Sequence, residues 1–410
     1  MSTRSLLHLL TFSILSSSAL FSCQKETEFT DDASTYQQKI DIAVDSTRIA
    51  IENQIGKTIP NLNIYIQTPK GSWFSSSAGT GYQKITADTY FRFASNTKNF
   101  TAAAVLNMKE DGWLNLDHKI TDLIPGSTTP YVPETSAWNI PNKEQITIKM
   151  LLQHSAGVYD VDNDEVPGYD GMSFTEHMHT TQPNHQFNVD EMMEQLVLHQ
   201  LSYFLPGTGY HYSNTGYAIV GEIISRVYSL RAGTQKNLTD YLYDKIYGPH
   251  TAVPLPIHFP YLATDTELAS PSSCGHILID ANNVEEICNY NMSGQVAEGN
   301  GYTTMRSLNT YIRTLLKAEN ILSAASVALM KNQVSVANPN YGLGCFYTQN
   351  LGYGHNGARI GNFTLMVYDP VYDISIISYI SAFDLDQLMT TFAAITEVAY
   401  ATRTALGYPG

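Results

Sequence analysis

Segments that alternate like β-strands stand at the two ends of this 410-residue chain, and most of what lies between them reads as helix and loop. Near the start, Leu62-Asn63-Ile64-Tyr65-Ile66 and Ser72 to Gly79 alternate on either side of the turn residues Pro69, Lys70 and Gly71. Near the end, Phe363 to Tyr368 and Ile374 to Ile380 form a second pair joined through Asp369-Pro370, a hairpin signal. Apolar spacing predicts a helix over residues 37–55 and a last one from about Asp386 to Leu406, which can close the sheet from the same side. The expected class is therefore α/β (α+β): an antiparallel sheet flanked by helices from both chain ends, with an all-helical subdomain inserted at roughly residues 95–300.

Within the insert, Pro125, Pro130, Pro133 and Pro141 punctuate a loop-rich stretch, and Ile146 to Gly157 predicts a short helix that ends at the glycine. Residues 216–230 and Met305 to Leu316 predict two further apolar helices.

The chemistry concentrates where the strand pattern Tyr90-Phe91-Arg92-Phe93-Ala94 gives way to the helical run from Phe100 to Leu106. Ser95 and Lys98 stand at that junction, three residues apart and so on one helical face. A serine hydroxyl is a weak nucleophile, and an amine beside it that takes its proton makes acyl chemistry feasible near neutral pH. The helix N-terminus adds partial positive charge for a developing oxyanion. The plain alternative is a capping serine followed by a solvated lysine.

Two further groups lie downstream. Tyr212 and Asn214, two apart in what reads as an extended or turn segment after Leu205-Pro206-Gly207-Thr208-Gly209, can point to one side. A neighbouring ammonium favours the tyrosine's phenolate as a base, and the asparagine suits a substrate amide. His355 and Gly357 precede the terminal hairpin, where the glycine lets a ligand approach the backbone closely. The amides of Ser95 and Ala358 can then serve as oxyanion donors.

Ser-x-x-Lys, Tyr-x-Asn and His-x-Gly in this order resemble the serine β-lactamase and penicillin-binding-protein superfamily, in particular the branch of class C β-lactamases, DD-carboxypeptidases, D-aminopeptidases and esterases. Phe91 to Asp117, Ile146 to Gly157, Gly299 to Leu316 and Tyr341 to Gly344 extend the similarity from about residue 40 to the C-terminus. The resemblance implies a β-lactamase/transpeptidase-like fold with Ser95 as acylated nucleophile, Lys98 as activator and Tyr212 as proton shuttle. It places Asn214, His355 and Gly357 on the substrate, His355 standing where class C β-lactamases carry lysine. Histidine is often uncharged near neutral pH, which favours a peptidase or esterase over a dedicated β-lactamase. No cofactor and no metal are implied. The expected substrate is a small molecule or peptide, first a D-amino-acid peptide or amide of the bacterial cell envelope, second an ester or β-lactam. An inactive envelope binding or sensor protein is the alternative of another class.

Composition narrows the setting. A formal charge of -15 without a basic stripe argues against a nucleic-acid partner. Residues 1–22 read as a secretory signal, with Arg4 followed by the largely apolar stretch Leu6 to Phe21. Leu20-Phe21-Ser22-Cys23 resembles a lipoprotein processing site, implying a lipidated Cys23, an acidic tether over 23–36 and an enzyme domain over 37–410. Anchoring would then be in the cell envelope, on the periplasmic side or the outer surface. Cys274 and Cys288 can pair or stay reduced. The histidine-rich stretch Glu176 to His185 lacks the aspartate-containing spacing of metallohydrolases and reads as a polar surface loop, while His154 reads as a hydrogen-bonded core residue.

Overall fold

A computed structural model describes residues 36–410. The signal peptide, Cys23 and the tether up to residue 35 lie outside the described residues. In chain order, helix α1 (Tyr36–Ile55) leads into strands β1 (Asn61–Thr68), β2 (Gly71–Ala78) and β3 (Tyr90–Arg92). Helices α2 (Thr97–Glu110), α3 (Ile148–Leu152), α4 (Phe174–Thr181), α5 (Val189–His199), α6 (Asn214–Ala232) and α7 (Leu238–Leu242) follow. Strands β4 (Gly275–Leu278), β5 (Val284–Ile287) and β6 (Tyr302–Thr304) precede α8 (Met305–Leu316) and α9 (Ala324–Asn332). The chain closes with β7 (Phe346–Thr348), β8 (Gly352–Arg359), β9 (Asn362–Asp369), β10 (Ile374–Ile380), β11 (Phe383–Asp384) and α10 (Leu388–Ala405).

The two chain ends share one antiparallel sheet of six strands, ordered β2-β1-β10-β9-β8-β7. Its seam is β1 against β10, with Leu62 opposite Ile380 and Ile66 opposite Ile376. Alternation explains the two cores. Leu62, Ile64 and Ile66 on β1, and Ile374, Ile376 and Ile380 on β10, pack one face under α1 and α10. The opposite residues Tyr65, Ile377 and Tyr379 join the larger core formed with the helical insert. Helix α2 lies inside that core, with Phe100, Ala102, Ala103, Ala104, Val105 and Leu106 all fully buried.

The expected terminal helices, the hairpin and the helix from Met305 to Leu316 are present. The insert consists of helices and loops with one short sheet, β4 and β5 together with β11, while β3 and β6, just outside its ends, pair with each other. Two expectations need correction. The helix after Ile146 ends at Leu152, five residues short of Gly157, and His154 is the first left-handed residue after it, at φ +57, with Gly157 following at φ +70. The His154 ring is locked in the core, accepting from the Ser213 N–H at 3.1 Å, and this holds the unusual backbone. The histidine-rich stretch is not a loop but largely α4, capped by Ser173 accepting from the Glu176 N–H. Cys274 and Cys288 are disulfide-bonded, and Cys345 is free and buried. No helix among the described residues is long and apolar enough to cross a membrane.

Candidate active site

Ser95 sits not in a helix but in a single 3₁₀ turn, Ala94–Asn96, between β3 and α2. The chain enters that turn through Ala94 at φ +50, a strained conformation for a residue with a Cβ. Asn96 and Thr97 secure it: the Asn96 amide donates to Phe93 O at 2.7 Å and Thr364 Oγ1 at 2.6 Å, and the Thr97 hydroxyl donates to Ala94 O at 2.8 Å. The Ser95 side chain caps nothing.

Lys98, the second residue of α2, is wholly buried. Its Nζ donates to Asn214 Oδ1 at 2.6 Å, to Glu298 O at 3.1 Å and to Ser95 Oγ at 3.3 Å. Burial lowers its pKa to about 8, against the pull of Glu298, Asp160 and Asp162. The amine therefore titrates near neutral pH with the nucleophile already in reach.

Tyr212 stands just before α6, with its ring centroid 4.7 Å from Lys98 Nζ and a side-chain hydrogen bond to Ser95. Burial drives its pKa well above the usual value, so the expected phenolate is replaced by a neutral phenol. Ser213, the residue between, caps α6 by accepting from the Gly216 N–H. Asn214 is consequently the first helical residue, and it reaches Lys98 from a different element than Tyr212 does. Its amide is engaged at both ends, the oxygen on Lys98 and the Nδ2 donating to Asp162 Oδ2 at 2.6 Å. Within the protein Asn214 thereby orients the lysine.

His355 is also reassigned. It is 1% exposed, and both ring nitrogens are engaged inside the protein, Nε2 with the Tyr341 hydroxyl at 2.8 Å and Nδ1 with Asn356 O at 2.5 Å. Asn356 O can only accept, so Nδ1 carries the proton and Nε2 accepts from Tyr341. Burial first, then Lys98, lowers its pKa to about 3, leaving it neutral. It braces β8 rather than clamping a substrate anion. His154 completes the brace, its Nε2 3.1 Å from the same Tyr341 hydroxyl. Burial holds its pKa well below the usual value.

Gly357 admits the turn that carries Ser95. A Cβ there would lie 2.2 Å from Phe93 O, 2.5 Å from Thr364 Oγ1 and 3.0 Å from Ala94 Cβ. The absence of a side chain lets β8 lie against the Ser95 turn. Gly357→Ala should push the two apart. A misplacement of about 1 Å at a reacting centre costs up to about 100-fold, and overpacking costs about 1–3 kcal/mol. We expect slower labelling of Ser95 by an activated phosphonate and a lower melting temperature; unchanged values for both would show the crossing to be slack.

Three acids behind the lysine escaped sequence reading. Asp160 accepts from the Asn214 N–H at 3.0 Å and from the Thr215 N–H at 3.3 Å, holding the start of α6. Asp162, fixed by Asn214 and by Gln295 Nε2 at 3.1 Å, has its pKa raised to about 6 by burial and by Asp160. Glu298 is 1% exposed, and burial together with Asp162 raises the pKa of its carboxyl well above the usual value, against the opposing pull of Lys98. Their only sequence signal was an Asp-x-Asp pair that begins three residues after Gly157 and a lone acid among small residues at 297–301.

A family profile described as Beta-lactamase matches residues 50–398. Penicillin-binding protein 4 of Amycolatopsis lactamdurans is 26% identical over 332 residues, covering 71% of this chain and 72% of that protein. A probable fimbrial assembly protein FimD, serogroup H1, of Dichelobacter nodosus is 32% identical over 168 residues, covering 41% of this chain and only 36% of that protein's length. Among solved structures, a D-amino acid amidase from Ochrobactrum anthropi SV3 complexed with D-phenylalanine superposes with a TM-score of 0.70 at 19% identity, over 91% of this chain and 99% of that one. That likeness establishes the shared fold.

Proposed function

The chain belongs to the Beta-lactamase family of serine hydrolases, and from that premise we propose that it cleaves amide bonds of D-amino-acid amides or peptides of the cell envelope through an acyl-enzyme on Ser95. The observation that carries the reading is the 3.3 Å approach of the buried Lys98 amine to Ser95 Oγ. Neutral Lys98 takes the hydroxyl proton as Oγ attacks the substrate carbonyl. The Ser95 and Ala358 backbone amides hold the resulting oxyanion. Collapse breaks the C–N bond, and the departing amine takes a proton from Tyr212, which is replenished from protonated Lys98. Water then repeats the sequence on the ester and frees the serine. The D-amino acid amidase fold and the penicillin-binding relative support this choice of substrate class.

Turnover of D-alanyl peptides, D-amino-acid amides, p-nitrophenyl esters and nitrocefin, compared side by side, tests it. Amide or peptide turnover is expected to lead, and activity on esters alone would overturn the order. Intact-protein mass after exposure to a fluorescent penicillin or phosphonate tests the acyl-enzyme; a folded protein that takes up neither is not a hydrolase.

We further propose lipid attachment at Cys23. Cys23→Ser should move the protein from the membrane to the soluble fraction with its hydrolytic rate unchanged. Retention of that variant in membranes would refute the anchor.

A further inference from the structure

A cavity of about 330 Å³ opens between α5, α6 and the segment 293–298, and none of Ser95, Lys98, Tyr212 and His355 lines it. Phe187, Met192, Leu238 and Val296 give it apolar walls. Gln186, Asn188 and Tyr261, all exposed, also border it, so it opens to solvent.

The charge of its lining is one-sided. Asp190, Glu222 and Glu298 border the cavity, and no lysine, arginine or histidine does. Asp190 is engaged, accepting from Trp138 Nε1 at 2.7 Å. Glu298 is 1% exposed, and its two oxygens differ: Oε2 accepts from the Ala297 N–H at 2.8 Å, while Oε1 is buried with no hydrogen-bond partner. No hydrogen bond or salt bridge among the described residues holds the Glu222 carboxyl. Around it stand Arg226 of its own helix, Asp190 of α5 and Tyr261. Burial, with Asp190 adding to it, raises the Glu222 pKa to about 7 against the pull of Arg226.

A buried carboxyl oxygen without a partner is costly, and a cation that enters beside it offsets that cost. A metal ion does not fit the lining. Among the described residues these acids do not converge as a set of metal ligands, and the apolar walls offer no ligand atoms. An ammonium group on an alkyl chain suits both the acids and the walls.

We propose that this cavity is a second ligand site, which takes an alkylammonium compound with its cation at Glu222 and Glu298 and its chain along Phe187, Met192, Leu238 and Val296. The site stands apart from the acyl chemistry, so its occupancy does not depend on the hydrolase reading.

Calorimetric titration of the unaltered protein with n-pentylamine, n-pentanol and pentanoate tests it. The amine is charged at neutral pH and should bind at least about tenfold more tightly than the alcohol, the usual margin for a hydrogen bond to a charged group, and pentanoate should not bind. At pH 7 about half of the Glu222 carboxyls are protonated, and a cation beside them favours the carboxylate. Binding of the amine should therefore release protons, read as a heat that varies with the ionisation enthalpy of the buffer. Glu222→Gln should erase most of the amine's advantage over the alcohol. Equal affinities for amine and alcohol, or an advantage undiminished in Glu222→Gln, overturn the site. Should that variant not fold, amine binding to the unaltered protein without proton release does the same.

Discussion

Ser95→Ala should lose about 10⁴- to 10⁶-fold in kcat while unfolding at nearly the same temperature. The chemical effect is large because every covalent step runs through one oxygen. The structural effect is small because Ser95 caps no helix. Lys98 also keeps its bonds to Asn214 and Glu298 when the hydroxyl is gone. The lost contact to Lys98 is worth about 0.5–1.5 kcal/mol, within the ordinary range for one hydrogen bond. Steady-state kinetics, phosphonate labelling and thermal melts measure all three. A variant that still forms an adduct would move the nucleophile elsewhere, and one that unfolds would make Ser95 a structural residue.

Lys98→Met should remove about 10²- to 10⁴-fold, the usual contribution of a general base. Acylation by the unaltered protein should also follow the lysine's titration. The neutral amine is the active form, so the rate rises with pH and levels off above about 8. At pH 7 only about one molecule in ten carries the neutral amine, and the rate falls about tenfold per unit below that. Asp162, with a pKa of about 6, adds a second loss as it protonates and accepts less well from Asn214. A profile flat from pH 6 to 9, or a Lys98→Met protein that labels at the original rate, would remove Lys98 from proton transfer. Circular dichroism on the variant separates that result from misfolding.

How much of this was legible in the chain differs from element to element. Periodicity found β1, β9, β10, α1, α8 and α10 within a few residues of their observed bounds, because the helices bury one face and the strands alternate between two cores, so that the period is written in the apolar residues. It misread α4, whose histidines stack on Tyr169, Phe187 and Tyr290 rather than facing water. Polar residue types alone do not say that aromatic rings from distant segments will cover them.

Motif order placed Ser95, Lys98 and Tyr212 together, and the fold brings them within contact of one another. For Asn214, His355 and Gly357 the motifs led to contact with a substrate, and the fold adds partners within the protein. Asn214 orients Lys98, His355 braces Tyr341, and Gly357 makes room for Phe93 O.

The sequence by itself determined the sheet built from both chain ends, the helices between them and the family. Those depend on local pattern and on residue type at short spacing. Tertiary structure alone decided the ionisation of the site. Lys98 titrates near neutral pH, Tyr212 is a neutral phenol and His355 an uncharged strut only because packing strips water from them. Desolvation and distance are properties of the folded whole, and no window of sequence contains them.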